Sequence, residues 1–341
     1  MATGRQCTAH PAGNEPCYAS SRGGKLGADV AERQFDVAIV GAGIAGLTAG
    51  LTAARLGRKT LVLTGDVLGG QLLSIEKVDG YPGFPEGVPG YDLCPMAQEQ
   101  AADAGAEFAA TAVERLEAAG NGWRLATGEG DFTARAVLLA TGCSLKQLGV
   151  PGEERLAGRG VSHCATCDAP LLRNRIVAVV GGGDSGLQEA LTLAEHASRV
   201  IILERGAALT GQAVYRDRVS DHPKVEIRCN TIVEDILGAD KVSAVRIRDM
   251  TDGIASELEA AGVFVYIGLK PNTALLQGRL VLDPAGAIPT DGWMRTGLTG
   301  VFAAGTVRSG SPRRAASAAG DGAAAAIAAD RYLADGPWRD G

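Results

Sequence analysis

The chain has 341 residues, long enough for two or three domain-sized units with large buried cores. Its apolar fraction of 46% and charged fraction of 21% are those of an ordinary globular protein, and a net charge of −6 without lysine or arginine blocks excludes a general nucleic-acid binder. No window approaches the 18 or so uninterrupted apolar residues of a membrane span.

Seven cysteines at irregular spacings do not form the framework of a secreted disulfide scaffold, and a cytoplasmic location is expected. Residues 1–33 are rich in Gly, Ala, Ser, Pro and Arg and lack periodicity. They read as a disordered extension without the apolar core of a secretory signal, and Cys7, His10 and Cys17 within them match no strong metal-binding spacing. Cys94, Cys143 and Cys229 stand alone in mixed or apolar surroundings and are expected to be small core residues.

Regular structure begins near Gln34. The segment "DVAIVGAGIAGLTAGLTAARLGRKTLVLT", Asp36 to Thr64, aligns without a gap with "IVAVVGGGDSGLQEALTLAEHASRVIILE", Ile176 to Glu204. Each copy opens with an apolar run suited to a buried parallel strand. Each continues through G-x-G-x-x-G, with Gly41, Gly43 and Gly46 in the first copy and Gly181, Gly183 and Gly186 in the second. A helical pattern follows, with Leu47, Leu51 and Ala54 on one face, echoed by Leu187, Leu191 and Ala194, and a second buried strand closes each copy. In this context the first glycine permits a tight turn and the second lets a pyrophosphate approach the backbone. The third allows close helix–strand packing, so that the helix N-terminus faces the phosphates. Two such sites in one chain imply a flavin and a nicotinamide nucleotide.

The second copy ends in Glu204, where a carboxylate accepts hydrogen bonds from ribose hydroxyls and repels a 2′-phosphate. Arg205 beside it suits phosphate instead; on balance NADH is expected over NADPH. The apolar turn "AVLLATG" (136–142) and the later "GVFAAGTV" (300–307) return the chain to the first nucleotide fold. The fold class is therefore α/β, with two Rossmann-like domains, the nicotinamide domain inserted into the FAD domain. The boundaries are 1–33 extension, 34–147 and 271–335 FAD-binding domain, 148–270 nicotinamide domain, and 336–341 tail. Crossings fall near Lys146 and Lys270, with Pro151 and Pro271 as stiffening residues. The alanine-rich stretch Ala323 to Ala329 is too short for a membrane span and reads as a helix.

Cys164 and Cys167 in "CATCDAP" lie just before the second fold. No second C-x-x-C and only four histidines are available to complete a zinc site, so no metal is expected. A purely structural disulfide would close too small a loop to constrain the unfolded chain much. Two intervening residues do permit thiol–disulfide exchange. Asp168 next door offers a proton-exchanging carboxyl group, and would equally suit a helix start. With both nucleotides in one chain, electrons would run from NAD(P)H to flavin, to the cysteine pair, to a partner.

Together these segments, with "TGDVLGGQL", "LGVPGE", "GRGVSHCATCD", "GVFVYIGLKPNT" and "AASAAGDGAAAA", resemble the low-molecular-weight thioredoxin reductases over residues 35–335. Some features also resemble the flavoprotein component of alkyl hydroperoxide reductase. The resemblance implies a homodimer with tightly bound FAD, a swivel that brings the disulfide and the nicotinamide to the flavin in turn, and a thioredoxin-like partner. It assigns Cys167 to the flavin side, Cys164 to attack on the partner disulfide, and Asp168 to acid–base work. Gly41, Gly43, Ile44 and Ala45 would hold the FAD pyrophosphate, and Gly70, Gln71 and Leu72 its ribityl–flavin side. Ala140 and the Arg313–Arg314–Ala315 segment would complete that pocket, while Gly183, Asp184 and Ser185 meet the nicotinamide nucleotide.

The chain departs from this pattern at several positions. Glu204-Arg205-Gly206 replaces a basic His-Arg-Arg triplet. Thr306 stands for an Asp that binds a ribityl hydroxyl, Gly80 for an Asn, and Arg314 for a Gln, with Arg314 expected to be a salt-bridged surface group rather than a cation near the flavin that would raise its potential. Two alternatives stand beside the reductase reading. One is a flavin-dependent dithiol oxidase, against which the second glycine motif argues; the other is reduction of a non-thioredoxin partner, such as a peroxiredoxin system.

Overall fold

A computed structural model describes residues 33–276 and 278–336; the expectations for residues 1–32 and for 337–341 of the tail lie outside it. From Gln34 onward the first nucleotide fold builds a sheet of seven strands. It starts with β1 (Gln34–Val40), α1 (Ile44–Arg55), β2 (Thr60–Leu63), α2 (Gly90–Asp103) and β3 (Glu107–Ala109). An antiparallel hairpin, β4 (Val113–Ala119) and β5 (Gly122–Thr127), then leads into β6 (Phe132–Leu139). Strands β3, β2, β1 and β6 are parallel, with α1 and α2 carrying the β1–β2 and β2–β3 connections.

Strand β6 divides its outer edge between two partners. Its first half pairs antiparallel with β5, Trp123–Leu125 against Phe132–Ala134, and its second half pairs parallel with the distant β17 (Val301–Ala303). The C-terminal segment thus returns to the first sheet, and the last helix of the described residues, Ala315–Asp335, packs on it beside α1.

A short ribbon carries both crossings into the second fold. β7 (Cys143–Leu145) pairs antiparallel with β16 (Leu269–Pro271), so the outgoing and returning chains are hydrogen-bonded to each other. Beyond β7, the buried carboxylate of Glu153 accepts the N–H groups of Leu148 and Gly149 at 2.9 and 2.7 Å and fastens the exit loop. The second fold then runs β8 (Val161–Ser162), α3 (Ala165–Asp168), β9 (Ile176–Val180), α4 (Asp184–His196), β10 (Arg199–Leu203), α5 (Ala213–Ser220) and β11 (Val225–Arg228). It ends with β12 (Thr231–Leu237), β13 (Ala244–Asp249), β14 (Ala255–Glu259) and β15 (Gly262–Val265). A five-stranded parallel sheet has the order β11-β10-β9-β15-β8, and β12-β13-β14 form an antiparallel sheet that covers one face of it through Val233, Ile236, Val245 and Ile247. The final helix, Ala315–Asp335, is α6.

The packing of α1 differs from the sequence pattern. Leu47 is fully buried, but Leu51 and Ala54 are only half-buried, and Ala49, Gly50 and Ala53 take the core face. Gly50 faces Ile39 and Val62 of the sheet, with Ala101 of α2 alongside, and the alanine-rich side of α6 lies directly on Ala45 and Ala49. A Cβ at Gly322 would sit 2.1 Å from the Ala45 carbonyl oxygen, so only small residues fit between the two helices. Leu187 and Ala194 of α4 are buried as the pattern predicts, Leu191 only partly. Cys94 and Cys143 are buried and Cys229 is half-buried. No helix among the described residues is long and apolar enough to cross a membrane.

Candidate active site

The two glycine motifs fold identically, for the same steric reason. Gly41 takes φ +106°, and a Cβ on it would lie 2.4 Å from the carbonyl oxygen of Ala140; Gly181 takes φ +113° and faces the Tyr266 carbonyl at 2.3 Å. One turn into each helix, a Cβ on Gly46 would strike Gly41 O at 1.9 Å, and one on Gly186 would strike Gly181 O at 2.0 Å. Side chains at these four positions would therefore push strand, loop and helix apart. Tyr266, which follows β15, is the repeat partner of Ala140, which follows β6. The texts "AVLLATG" and "GVFVYIG" (262–268) carry that correspondence, which the sequence reading did not use.

A cleft of about 480 Å³ opens over the first motif. It is lined by Gly41, Gly43, Ile44 and Ala45, by Gly70, Gln71 and Leu72 of the 3-10 turn, and by Ala140, Thr306, Arg313, Arg314 and Ala315. Gly46 is not on its surface, because it is spent on helix–strand packing. A cleft of about 920 Å³ covers the second motif and is lined by Gly181, Gly183, Asp184, Ser185, Glu204 and Arg205, with Gly186 again beneath. Gly80 lines neither.

Both loops suit a pyrophosphate. No side chain caps the first turn of α1 or α4, and a Cβ on Gly43 would meet nothing within 4 Å, so its space is open to a ligand. Arg313 and Arg314 supply positive charge at the rim. The donor set is thus neutral backbone plus two guanidinium groups, which fits a dinucleotide in the first cleft. The same uncapped geometry holds in the second, where Glu204 Oε2 accepts Gly182 N–H at 2.5 Å and Oε1 accepts Gly206 N–H at 2.7 Å. These bonds fix the carboxylate at the end of β10, beside the loop.

The cysteine pair forms a disulfide with a Cα–Cα distance of 5.3 Å. Cys164 is the N-cap of α3, and its Sγ accepts the Cys167 N–H at 3.2 Å. Cys167 is exposed, Cys164 and Asp168 are half-buried, and none of the three lines the first cleft. Instead Ser185, Gln188, Glu189 and Tyr266 of the second fold face into it. That placement is held by contacts between the folds: Gln188 donates to the Lys77 carbonyl, Tyr215 to Asp79 at 3.3 Å and Thr166 to Glu76 at 3.4 Å, and Arg314 pairs with Asp184. Arg314 is thus salt-bridged and half-exposed, and it also lines the first cleft.

Sequence reasoning missed Glu189 and Tyr266. Glu189 is buried, with a pKa pushed up to about 7 chiefly by that burial, and opposed by the Ala165 N–H and the Tyr266 hydroxyl. Its spacing of one helical turn from Ser185 was the available signal. Cys143 also lines the first cleft and donates its thiol to the Thr306 carbonyl; burial raises its pKa, against the Thr306 side chain and the charge of Arg313.

Comparison with known proteins agrees with this geometry. The family model for pyridine nucleotide-disulphide oxidoreductases matches residues 35–322. The chain belongs to this family. Thioredoxin reductase of Treponema pallidum (strain Nichols) is 40% identical over 302 residues, 89% of this chain and 98% of that protein. The crystal structure of Lactococcus lactis thioredoxin reductase (FR conformation) overlays with a TM-score of 0.86 at 35% identity, covering 88% of this chain and 99% of that one. For T. acidophilum thioredoxin reductase the TM-score is 0.84 at 35% identity, with coverage of 87% and 98%. As a pyridine nucleotide-disulphide oxidoreductase the chain is an NAD(P)H-dependent disulfide reductase and a flavoprotein, and it carries a disulfide between Cys164 and Cys167.

Proposed function

We propose that this chain reduces the disulfide of a thioredoxin-like protein, with FAD held over the first glycine motif and NADH, in preference to NADPH, over the second. The observation that carries this reading is the division of labour between the faces of the second fold. Its nucleotide face, through Ser185 and Tyr266, lines the first cleft, while its disulfide is presented outward at Cys167. FAD, when bound, supplies a two-electron relay between nucleotide and disulfide.

The chain's own residues do the rest. Gly43, Ile44 and Ala45 offer backbone N–H groups to a pyrophosphate, Gly41 makes the turn that admits it while its own N–H is bonded to Leu63 O at 2.8 Å, and Thr306 offers a hydroxyl. Arg314 and Asp184 keep the second glycine loop against the start of α6. Once the pair is a dithiol, the thiolate of Cys164 attacks the partner disulfide, forming a mixed disulfide and releasing one partner thiol. Cys167 then attacks Cys164 Sγ, restores the Cys164–Cys167 bond and releases the second thiol. Asp168, adjoining Cys167 on α3, supplies and recovers the proton. For Cys167 to serve the flavin side, the second fold must turn about the β7–β16 ribbon, which joins it to the first by two strands. We further propose that the working form is a homodimer. The NADH preference is supported by the anchored carboxylate of Glu204, where a 2′-phosphate would meet like charge.

An anaerobic titration tests the reading. The purified protein should be yellow, NADH should bleach it, and oxidised thioredoxin should restore the colour. Colourless protein refutes the flavin assignment, and bleached protein that only a peroxiredoxin-type partner or oxygen restores refutes the thioredoxin assignment. Cys164→Ser should keep bleaching and lose partner reduction. Faster bleaching by NADPH than by NADH would overturn the role of Glu204.

A further inference from the structure

One acid sits closer to the redox helix than the chemistry above requires. Glu189, in the middle of α4 and 9% exposed, accepts the Ala165 N–H on Oε2 at 3.2 Å. Ala165 follows Cys164 directly, and its N–H belongs to the same turn whose Cys167 N–H points at Cys164 Sγ. The Tyr266 hydroxyl lies against the same carboxylate and the same N–H, buried and without a well-formed hydrogen bond of its own. The remaining ionisable groups around this point are Glu76 from the first fold, Asp168 on α3, and His163, whose Nδ1 pairs with Val265 O at 2.9 Å. Among the described residues no lysine or arginine pairs with Glu189. A buried carboxylate with no cation therefore stands one residue from the sulfur that becomes a thiolate.

We propose that Glu189 is a positioning residue of the cysteine chemistry, taking up a proton when the Cys164–Cys167 disulfide is reduced and returning it when a partner reoxidises the pair. The inference rests on the disulfide-reductase reading and adds a proton site to it. Breaking the S–S bond with two electrons and one proton yields one thiol and one thiolate. Left ionised, Glu189 would repel that thiolate through a low-dielectric interior. With a second proton on Glu189 the balance becomes disulfide plus carboxylate plus two electrons plus two protons, giving thiol, thiolate and carboxylic acid. The nicotinamide nucleotide supplies the electrons and solvent the second proton. Burial already holds Glu189 near the neutral range, so the change in charge at sulfur is enough to move it. Placement on α4, one turn after Ser185 and on the same face, also links this proton to the nucleotide loop.

The test uses the full-length protein, reduced with dithiothreitol, desalted anaerobically and pulsed with iodoacetamide across the range from mildly acidic to mildly alkaline pH. Mass spectrometry of the Cys164–Cys167 peptide gives the alkylation rate. Glu189→Gln retains an acceptor for Ala165 N–H but removes the charge. At neutral to mildly alkaline pH, where Glu189 is ionised, the substitution should lower the apparent pKa of the reactive thiol by about one unit, which is up to about tenfold faster alkylation. At acidic pH, where Glu189 is already protonated, the two rates should converge. Glu189→Asp, which keeps the charge, should follow the wild-type profile. Redox titration of the disulfide should show the wild type taking up one more proton than Glu189→Gln near neutral pH. Superimposable wild-type and Glu189→Gln profiles would overturn the inference, as would an Asp variant that behaves like Gln. A pair that dithiothreitol does not open would overturn both the inference and the redox reading beneath it.

Discussion

Alanine at the third glycine of each motif should separate the two nucleotide sites from each other. At Gly186 the added Cβ would lie 2.0 Å from Gly181 O, and at Gly46 1.9 Å from Gly41 O, where ordinary contact begins at 3.4 Å. Each clash is backbone against backbone, so no side chain can swing aside and the loop must lift from its helix by more than 1 Å. Overpacking of this kind costs about 2–3 kcal/mol, and because the displaced loop is the one that meets the pyrophosphate, the cost appears as about 30- to 150-fold weaker binding. Gly46→Ala should lose flavin on gel filtration yet still bind nicotinamide nucleotide. Gly186→Ala should stay yellow and bind the nucleotide poorly. Visible absorbance of the purified protein and calorimetric titration with NAD⁺ measure the two effects independently. Gly43→Ala supplies the contrast, since its Cβ meets nothing within 4 Å: melting temperature should hold while flavin retention falls, because the methyl occupies ligand space. The reasoning fails if either third-glycine variant keeps wild-type binding at its own site, or if each abolishes both.

Other substitutions probe the supports of the site. Asp321 is buried, accepts Gly305 N–H and grips Arg308 with both oxygens, so Asp321→Ala leaves a largely buried guanidinium unpaired. Chemical denaturation should show a loss of about 3–5 kcal/mol, together with weaker flavin retention through the Gly305–Thr306 wall. Arg314→Ala removes a half-exposed ion pair between the folds, worth about 0.2–1 kcal/mol, and should reduce the population of the present arrangement no more than about fivefold. Distances between spin labels on the two folds would report this, and high salt should reproduce it. Burial pushes the Glu189 pKa up to about 7 from the 4.5 of a free side chain, so the folded protein holds the extra proton and its stability falls as pH rises between those values. Glu189→Gln should therefore raise the melting temperature relative to wild type at pH above about 7 and leave it unchanged below about 4.5.

Much of the fold was legible because glycine has few reasons to recur at fixed spacing between a buried strand and a helix. The repeat at Asp36–Thr64 and Ile176–Glu204 implied two nucleotide folds, and the structure has a parallel sheet behind each. The core face of α1 was less legible. Leu51 is the stronger hydrophobe, yet Gly50 faces inward against Val62 of the sheet and Ala49 lies against Gly322 of α6, more than 250 residues away. Glu189 was similarly hidden: on a helix wheel it is one more acid, and only the approach of α3 to α4 puts it at Ala165 N–H.

By itself the sequence determined what is encoded locally, namely the turns only glycine can make, the strands that must be buried, and two sulfurs close enough to bond. These depend on backbone sterics within a few residues, so they survive without knowledge of the rest of the chain. The tertiary structure alone decided which face of the second fold meets the first cleft and which is left outward. That choice rests on contacts such as Arg314–Asp184 and Tyr215–Asp79, between residues far apart in the chain, whose meeting is set by packing of whole sheets and helices. In this structure the nucleotide loop faces inward and the cysteine pair outward.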